Sequence, residues 1–454
     1  MAEPATRVRA AAVASVVAVV IASGLILDRL VGPNAAAQGA PQGSPSGALL
    51  CPHGGQSGGQ GWVVIANPGP RAVRARLTQL GKDGARSVSA FTVGAFTEVY
   101  REVAADDPSS ATEVEYFGGP LGAVAIIQSS GQPGGVAAER CEPSARRNWF
   151  VMDVLTGKDQ TGYLVVMNPF DEAAEFDVIL RTEKRRLEPG PLSPYVLAPR
   201  HSVGIPVNQY LLQGPGEDSL TAQVIQRMGR VVAGGVELSP TGIRAEAGLP
   251  VADTRWVLPA AGDAGTRHLV VLNGGRARAD ISIVAQGPSG QRVVSVPEGL
   301  SVGADEVRTF EPGRLKNAGL LVEADNDRPV AVSLRLTGPF GGTAGLNGAS
   351  SSAARWLIMP ALPPSGGKAF LVIQNPGPRQ VQVSFRLIGT KGAVVGSISP
   401  RAIPGARTIR VALPQGDRPI SALVTAEGGT IVASIASYSS GRASYAATLG
   451  MPMK

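Results

Sequence analysis

The sequence predicts an all-β protein, an N-terminal transmembrane helix followed by four tandem immunoglobulin-like β-sandwich modules. Three observations lead there: one pattern written four times, glycine and proline at turn density, and hardly any helical periodicity beyond the first thirty residues. At 454 residues the chain exceeds one ordinary core, and domains of ~100–200 residues predict three or four folded units. Glycine (58) and proline (36) make up about a fifth of it, against ~12% on average. Hydrophobic residues still hold at 44%, which points to short strands joined by turns rather than to disorder.

The first element is the uncharged run from Ala10 to Leu27, preceded by Arg7 and Arg9 and followed by Asp28 and Arg29. As a helix it rises ~27 Å, close to the ~30 Å hydrocarbon core of a bilayer. Basic residues on its N-terminal side favour that end inside and the bulk of the chain outside. Residues 1–9 read as a cytoplasmic tail and 10–31 as the membrane segment. A cleavable signal peptide is the competing reading, with Ala35-Ala36-Ala37 as its small-residue site. Residues 32–50, poor in periodicity and rich in Ala, Gly, Gln, Pro and Ser, read as a flexible spacer.

The repeat follows. Apolar runs end in Asn67, Asn168, Asn273 and Asn375, at spacings of 101, 105 and 102, and each Asn is followed by Pro or Gly. Beyond each lies period-2 alternation, for example Val73, Ala75, Leu77 and Phe176, Val178, Leu180, the mark of a strand with one buried face. Asn-Pro and Asn-Gly form turns, so each unit is expected to open with a hairpin-like pair. The modules are assigned to 51–145, 146–250, 251–350 and 351–454. Seven or eight strands in about a hundred residues fit an immunoglobulin-like sandwich. A β-propeller with two blades per repeat also fits the length, although the two halves of a repeat do not resemble each other. Short linkers between modules favour a compact array.

Trp149, Trp256 and Trp356 stand 17 to 19 residues before the repeated Asn and mark module starts. Core packing is their expected role, with a sugar-stacking platform as the alternative. In the first module Cys51 takes that place. The only other cysteine, Cys141, falls on the last strand of that module. In an oxidising compartment the two are expected to pair, clasping its first strand to its last.

The apolar N-terminal segment, the Cys51-Pro52 start and the Asn67-Pro68, Asn168-Pro169 and Asn375-Pro376 turns together resemble an uncharacterised secreted family of actinobacteria, domain of unknown function 5719. The third repeat departs from it with Asn273-Gly274. The resemblance implies an envelope location and no catalytic activity. More loosely, the Asn-Pro-Gly turn followed by alternation is similar to bacterial immunoglobulin-like adhesion modules.

No constellation for chemistry emerges. His53, His201 and His268 lie in different modules, none with a second ligand at zinc spacing. Asp325-Asn326-Asp327 offers oxygens, but without the full ligand series of a calcium loop. Gly55-Gln56-Ser57-Gly58-Gly59 matches the nucleophile-elbow pattern without the strand and helix that such an elbow needs. Asp106-Asp107 and Glu113/Glu115 read as loop or solvent-facing residues. The formal charge of +7 is dispersed, with Lys184-Arg185-Arg186 as its densest run, and aromatics are 5%, which argues against nucleic-acid binding. No catalytic, metal or cofactor residue is assigned. The expectation is a non-enzymatic cell-envelope protein, held to the membrane by its N-terminal helix and contacting other envelope proteins or wall polymer. A glycan-, peptidoglycan- or lipid-binding module is the alternative, and an extracellular hydrolase the remote one.

Overall fold

The computed structural model describes residues 46–453, apart from 130–133, 212–216, 241, 261–266, 297–298, 314, 316, 339–340, 394–397, 415–418 and 439–443. Residues 1–45, where a cytoplasmic tail, a membrane segment and most of a spacer are expected, lie outside the described residues. Among those described, the secondary structure is β-strand with two short 3-10 turns, and no helix is long and apolar enough to cross a membrane.

The first repeat holds eight strands: β1 (Ser46–Cys51), β2 (Gln60–Ala66), β3 (Val73–Gly81), β4 (Gly84–Val93), β5 (Glu98–Ala104), β6 (Ala111–Phe117), β7 (Gly122–Gln128) and β8 (Val136–Arg140). They form two antiparallel sheets, ordered β1-β6-β3-β4 and β5-β2-β7-β8. The other three repeats give the same two orders, with the fourth strand broken into two short pieces, and in the last repeat a further short strand, Met451–Pro452, pairs outside the first. The chain thus forms repeated β-sandwich modules. Their strand order is not that of an immunoglobulin domain, because the first strand pairs with the sixth. β1 begins at Ser46, inside the stretch assigned to the spacer.

The two sheets of a module differ in what covers them. β3 alternates buried and exposed residues, with Val73, Ala75 and Leu77 inside and Arg74 and Arg76 in solvent. β2 is buried from Val63 through Ala66, and its equivalents Leu164–Met167, Leu269–Asn273 and Leu371–Asn375 are continuously buried too. At the centre of its sheet this strand has no solvent face. In the second module, Leu164 and Val166 enter the core shared with Trp149, Phe176 and Val224 of the partner sheet, whereas Val165 packs with Ala105, Ile127 and Ala137 of the first module.

Neighbouring modules therefore cover each other, and the series closes. The last strand of each, β8, Gly242–Ala247, Thr343–Asn347 and Tyr445–Leu449, packs against the next, and the fourth returns to the first. At three of the four junctions the fifth strand of one module docks at the start of the sixth strand of the preceding one. Gly204 N donates to Ser109 Oγ (3.0 Å), Gly319 N to Thr408 Oγ1 (3.2 Å), and Ser421 N and Oγ both to Glu98 Oε2 (2.9 and 2.6 Å). The last of these joins the fourth module to the first. Between the second and third modules the contacts are Arg181 to Asp305 (2.6 Å) and Thr309 N to Glu183 (2.6 Å).

The four asparagines sit at one corner, repeated. Asn67 Nδ2 donates to the carbonyls of Arg71 (2.7 Å), Val93 (3.2 Å) and Gly94 (2.8 Å), and its Oδ1 accepts from Gly69 N (2.9 Å). Asn168 bonds Glu172, Leu197, Ala198 and Phe170 in the same way. Asn273 bonds Ala277, Val302, Gly303 and Gly275, and Asn375 bonds Arg379, Ile403, Pro404 and Gly377. All four are at most 1% exposed. The expected hairpin is corrected: β2 and β3 belong to different sheets, so the corner is an arch between layers. An arch leaves its carbonyls facing inward with no ladder partner, and the buried amide supplies their donor.

Trp149, Trp256 and Trp356 are at most 1% exposed, and each indole nitrogen donates to a carbonyl at the start of the seventh strand, Val231 (2.8 Å), Val330 (2.7 Å) and Ile431 (2.7 Å). The register places Leu49, not Cys51, at the Trp position, since Leu49 faces Val114 as Trp149 faces Val224, Trp256 faces Val322 and Trp356 faces Val424. The assignment of Cys51 to that place is therefore two residues off. Cys51 is disulfide-bonded to Cys141, which directly follows β8. Gly248 and Gly348 hold the position of Cys141, each bonding back to the seventh strand as Cys141 does. A Cβ there would meet the Trp149 ring at 3.0 Å and the Trp256 ring at 2.9 Å. The first module, with Leu in place of Trp, has room for a side chain at this point, and the disulfide fills it.

Asn168→Ala removes one amide from four backbone partners. At ~1–3 kcal/mol for an unsatisfied buried group, a loss of about 3 kcal/mol is expected in urea unfolding, against under ~1 kcal/mol for Ala at the exposed turn residue Asn326. The Cys51–Cys141 bridge closes a separation of 90 residues. Its replacement by two serines is expected to lower unfolding free energy by about 4–5 kcal/mol, the chain-entropy value for such a loop.

Candidate functional site

The residues singled out by the sequence, Cys51, Cys141, the four asparagines and the three tryptophans, all serve the framework. Two other places gather polar groups.

The first is the axis about which the four last strands pack. A cavity of about 40 Å³ there is lined by Glu139, Glu246, Asn347 and Thr448, with Arg140 and Glu142 at its side. Each of the four modules contributes. Glu139 is 1% exposed and neither carboxylate oxygen has a hydrogen-bond partner. Burial first, and then the neighbouring Glu142 and Glu246, push its pKa up to about 8. Glu246 is held at about 7, raised by burial against the opposing pull of Arg244 and a hydrogen bond from Ser333 of the third module. Arg244 is itself buried, with Glu237 at 2.9 Å, Asp153 at 3.2 Å and Glu246 at 3.6 Å. Arg335 reaches Asp153 from the third module at 3.4 Å. Arg140 bonds Glu142 (2.7 Å) and, in the fourth module, the Gly450 carbonyl (3.2 Å). None of these residues carried a motif. They are charges scattered in or beside short strands of different modules, and only closure of the modules brings them together.

The second is an open groove of about 610 Å³ between the first and fourth modules. Gln60 and Trp62 on β2, Gln128 on β7, and Pro364, Ser365 and Gly367 of the fourth module line it. Trp62 is half-buried. No ionisable side chain is among the lining residues.

Elsewhere the candidate chemistry dissolves into structure. His53 is buried, its Nδ1 2.7 Å from the Gly54 carbonyl and its Nε2 3.0 Å from Thr112 Oγ1. The Gly55–Gly59 segment packs back on the first module through Gln56 N to the Ala105 carbonyl (2.9 Å), and a strand follows it, not a helix. Glu113 was expected in solvent and is instead 6% exposed, paired with Arg200 of the second module at 2.8 Å. A strand residue at a module junction loses the solvent that its own sheet would leave it. Arg185 and Arg186 of the basic run pair with Glu217 (2.5 Å) and Asp305 (2.9 Å). At the Asp325–Asp327 turn, Asn326 bonds Asp280 N (3.2 Å) and the Arg278 carbonyl (2.9 Å). Among the described residues no three His, Cys, Asp or Glu side chains are grouped to hold a metal.

The buried His53 has a pKa lowered by desolvation from 6.5 to about 4. Unfolded chains therefore take up a proton that the folded one refuses, and stability present above pH 6.5 is lost as pH falls toward 4. His53→Gln is expected to flatten that part of the stability curve, measured by denaturant unfolding at stepped pH.

Residues 99–343 match the model of the Family of unknown function (DUF5719). No curated protein matches the chain in sequence. Among solved structures, the crystal structure of Thermotoga maritima 1070 is 19% identical, with a TM-score of 0.20, covering 23% of this chain and 95% of that one. A Streptomyces avermitilis α-L-rhamnosidase complexed with L-rhamnose is 8% identical, with a TM-score of 0.13, covering 81% of this chain and 54% of that one. Scores this low carry no argument. The family match spans more than half of the sequence, and the chain belongs to the Family of unknown function (DUF5719).

Proposed function

We propose that the chain is a non-enzymatic envelope protein, displayed outside the cytoplasmic membrane by its 10–31 segment, that binds a partner protein through the groove between its first and fourth modules. The observation that carries the binding role is the make-up of that groove: an aromatic ring, two amides and two serine hydroxyls, with no acid or base among the lining residues to activate them. Such a surface offers stacking area and hydrogen bonds, the means of recognition rather than of bond cleavage. The Cys51–Cys141 disulfide supports the location, since structural disulfides persist in oxidising compartments. The immunoglobulin-like likeness belongs to the same reading, as a likeness of display modules rather than of strand order.

A second reading, glycan binding, is favoured by Trp62 alone, because an aromatic face flanked by Gln60 and Gln128 also suits a sugar ring. The burial of Trp149, Trp256 and Trp356 removes the other aromatic candidates for such a platform.

Trp62→Ala is expected to retain the wild-type β-sheet circular dichroism while losing, at least tenfold, the protein recovered by cross-linking from envelope extracts. Retention of that partner by the variant would refute the groove as the binding surface. Recovery of wall glycan in place of a protein, lost in the same variant, would favour the second reading.

A further inference from the structure

The axial cavity presents oxygen without hydrogen. Both carboxylate oxygens of Glu139, Oε2 of Glu246 and Oδ1 of Asn347 are buried, and none has a hydrogen-bond donor. All three residues line the same cavity of about 40 Å³, more than the ~10–15 Å³ that admits one water-sized occupant. Native structures leave few buried acceptors unpaired, and each one needs a physical account. Here four belong to residues that line one cavity, contributed by three modules. The neighbourhood is also short of positive charge: Glu139, Glu142, Glu246, Glu237 and Asp153 face only Arg140, Arg244 and Arg335. Arg140 is turned to Glu142 and the Gly450 carbonyl, and Arg244 to Glu237 and Asp153 with Glu246 Oε2 farther off at 3.6 Å, which leaves Glu139 with no cation of its own.

We propose that the axial cavity binds one hard divalent cation of the calcium class, held by Glu139, Glu246 and Asn347 of the first, second and third modules. Carboxylate and amide oxygens are the ligands such ions take, and carbonyls and waters complete a shell of ~6–8 oxygens. With every carboxyl deprotonated, the five acids exceed the three arginines by two charges, which one divalent ion offsets. Because the ligands come from different modules, the ion ties the array across its axis, and binding is coupled to closure of the modules.

Isothermal titration of the chelator-treated full chain with calcium is expected to show one site, with a dissociation constant of ~10⁻⁴–10⁻³ M, the range of extracellular modules, and a calcium-dependent rise in the thermal midpoint. Glu139→Gln, which keeps shape and removes charge, is expected to weaken binding at least tenfold, whereas Asp325→Asn at the exposed turn leaves it unchanged. Terbium gives a second readout on the unmutated protein. Trp149 and Trp256 stand directly behind the lining residues Gly248 and Gly348, so bound terbium is expected to show tryptophan-sensitised emission that calcium displaces. Absence of both heat and sensitised emission up to ~10 mM, tenfold beyond that range, overturns the proposal. So does equal affinity in the Glu139→Gln variant.

Discussion

A β-sheet whose central strand has no solvent face cannot stand alone, and that constraint organises this molecule. In every module the strand that leads to the repeated asparagine is buried on both sides along most of its length. One side is covered by its own partner sheet, and the other requires a neighbour. Burial of a Val or Leu side chain is worth roughly 1.5–3 kcal/mol, so an uncovered face of several such residues would outweigh the marginal stability of a single module. The modules are thus repeats in sequence and parts of one object in energy. Contacts such as Glu98 with Ser421 close the series without supplying its main driving force.

Within a module, the asparagine amide performs the task that a ladder performs within a sheet. It links the arch to the crossing between the fourth and fifth strands, some thirty residues later. Both layers are thereby registered by one side chain. The Trp and Gly pair of the second and third modules, and the Leu and Cys arrangement of the first, are two solutions to a shared packing problem at the next position along. A large ring leaves no room for a Cβ opposite, and a smaller side chain leaves room for a disulfide.

Much of this was legible in the sequence. A continuous apolar run followed by strict alternation, as in residues 61–67 and 73–77, states that one strand is covered on both sides and the next on one. The spacing of Asn67, Asn168, Asn273 and Asn375 identifies equivalent corners. Whether such a corner is a hairpin or an arch is not written locally, because both begin with the same turn chemistry, and the difference lies in which distant strands pair. The two-residue misplacement of the Trp equivalent arose in the same way: Cys51 marks the end of β1, and only its pairing with β6 shows that Leu49 holds the register. Glu139 and Glu246 were illegible as site residues, since a lone carboxylate in a short strand looks solvent-facing until another module is set against it.

Closure of the array also restricts how the family can vary. An open stack of repeats lengthens or shortens by whole units and protects its two ends with polar capping repeats. A closed one has no ends to protect, and here the fourth module meets the first through contacts of the kind used at two of the other junctions. The unit count is then a matter of angle rather than of length: inserting or deleting one copy would alter every junction at once, so change is channelled into loops and outer faces.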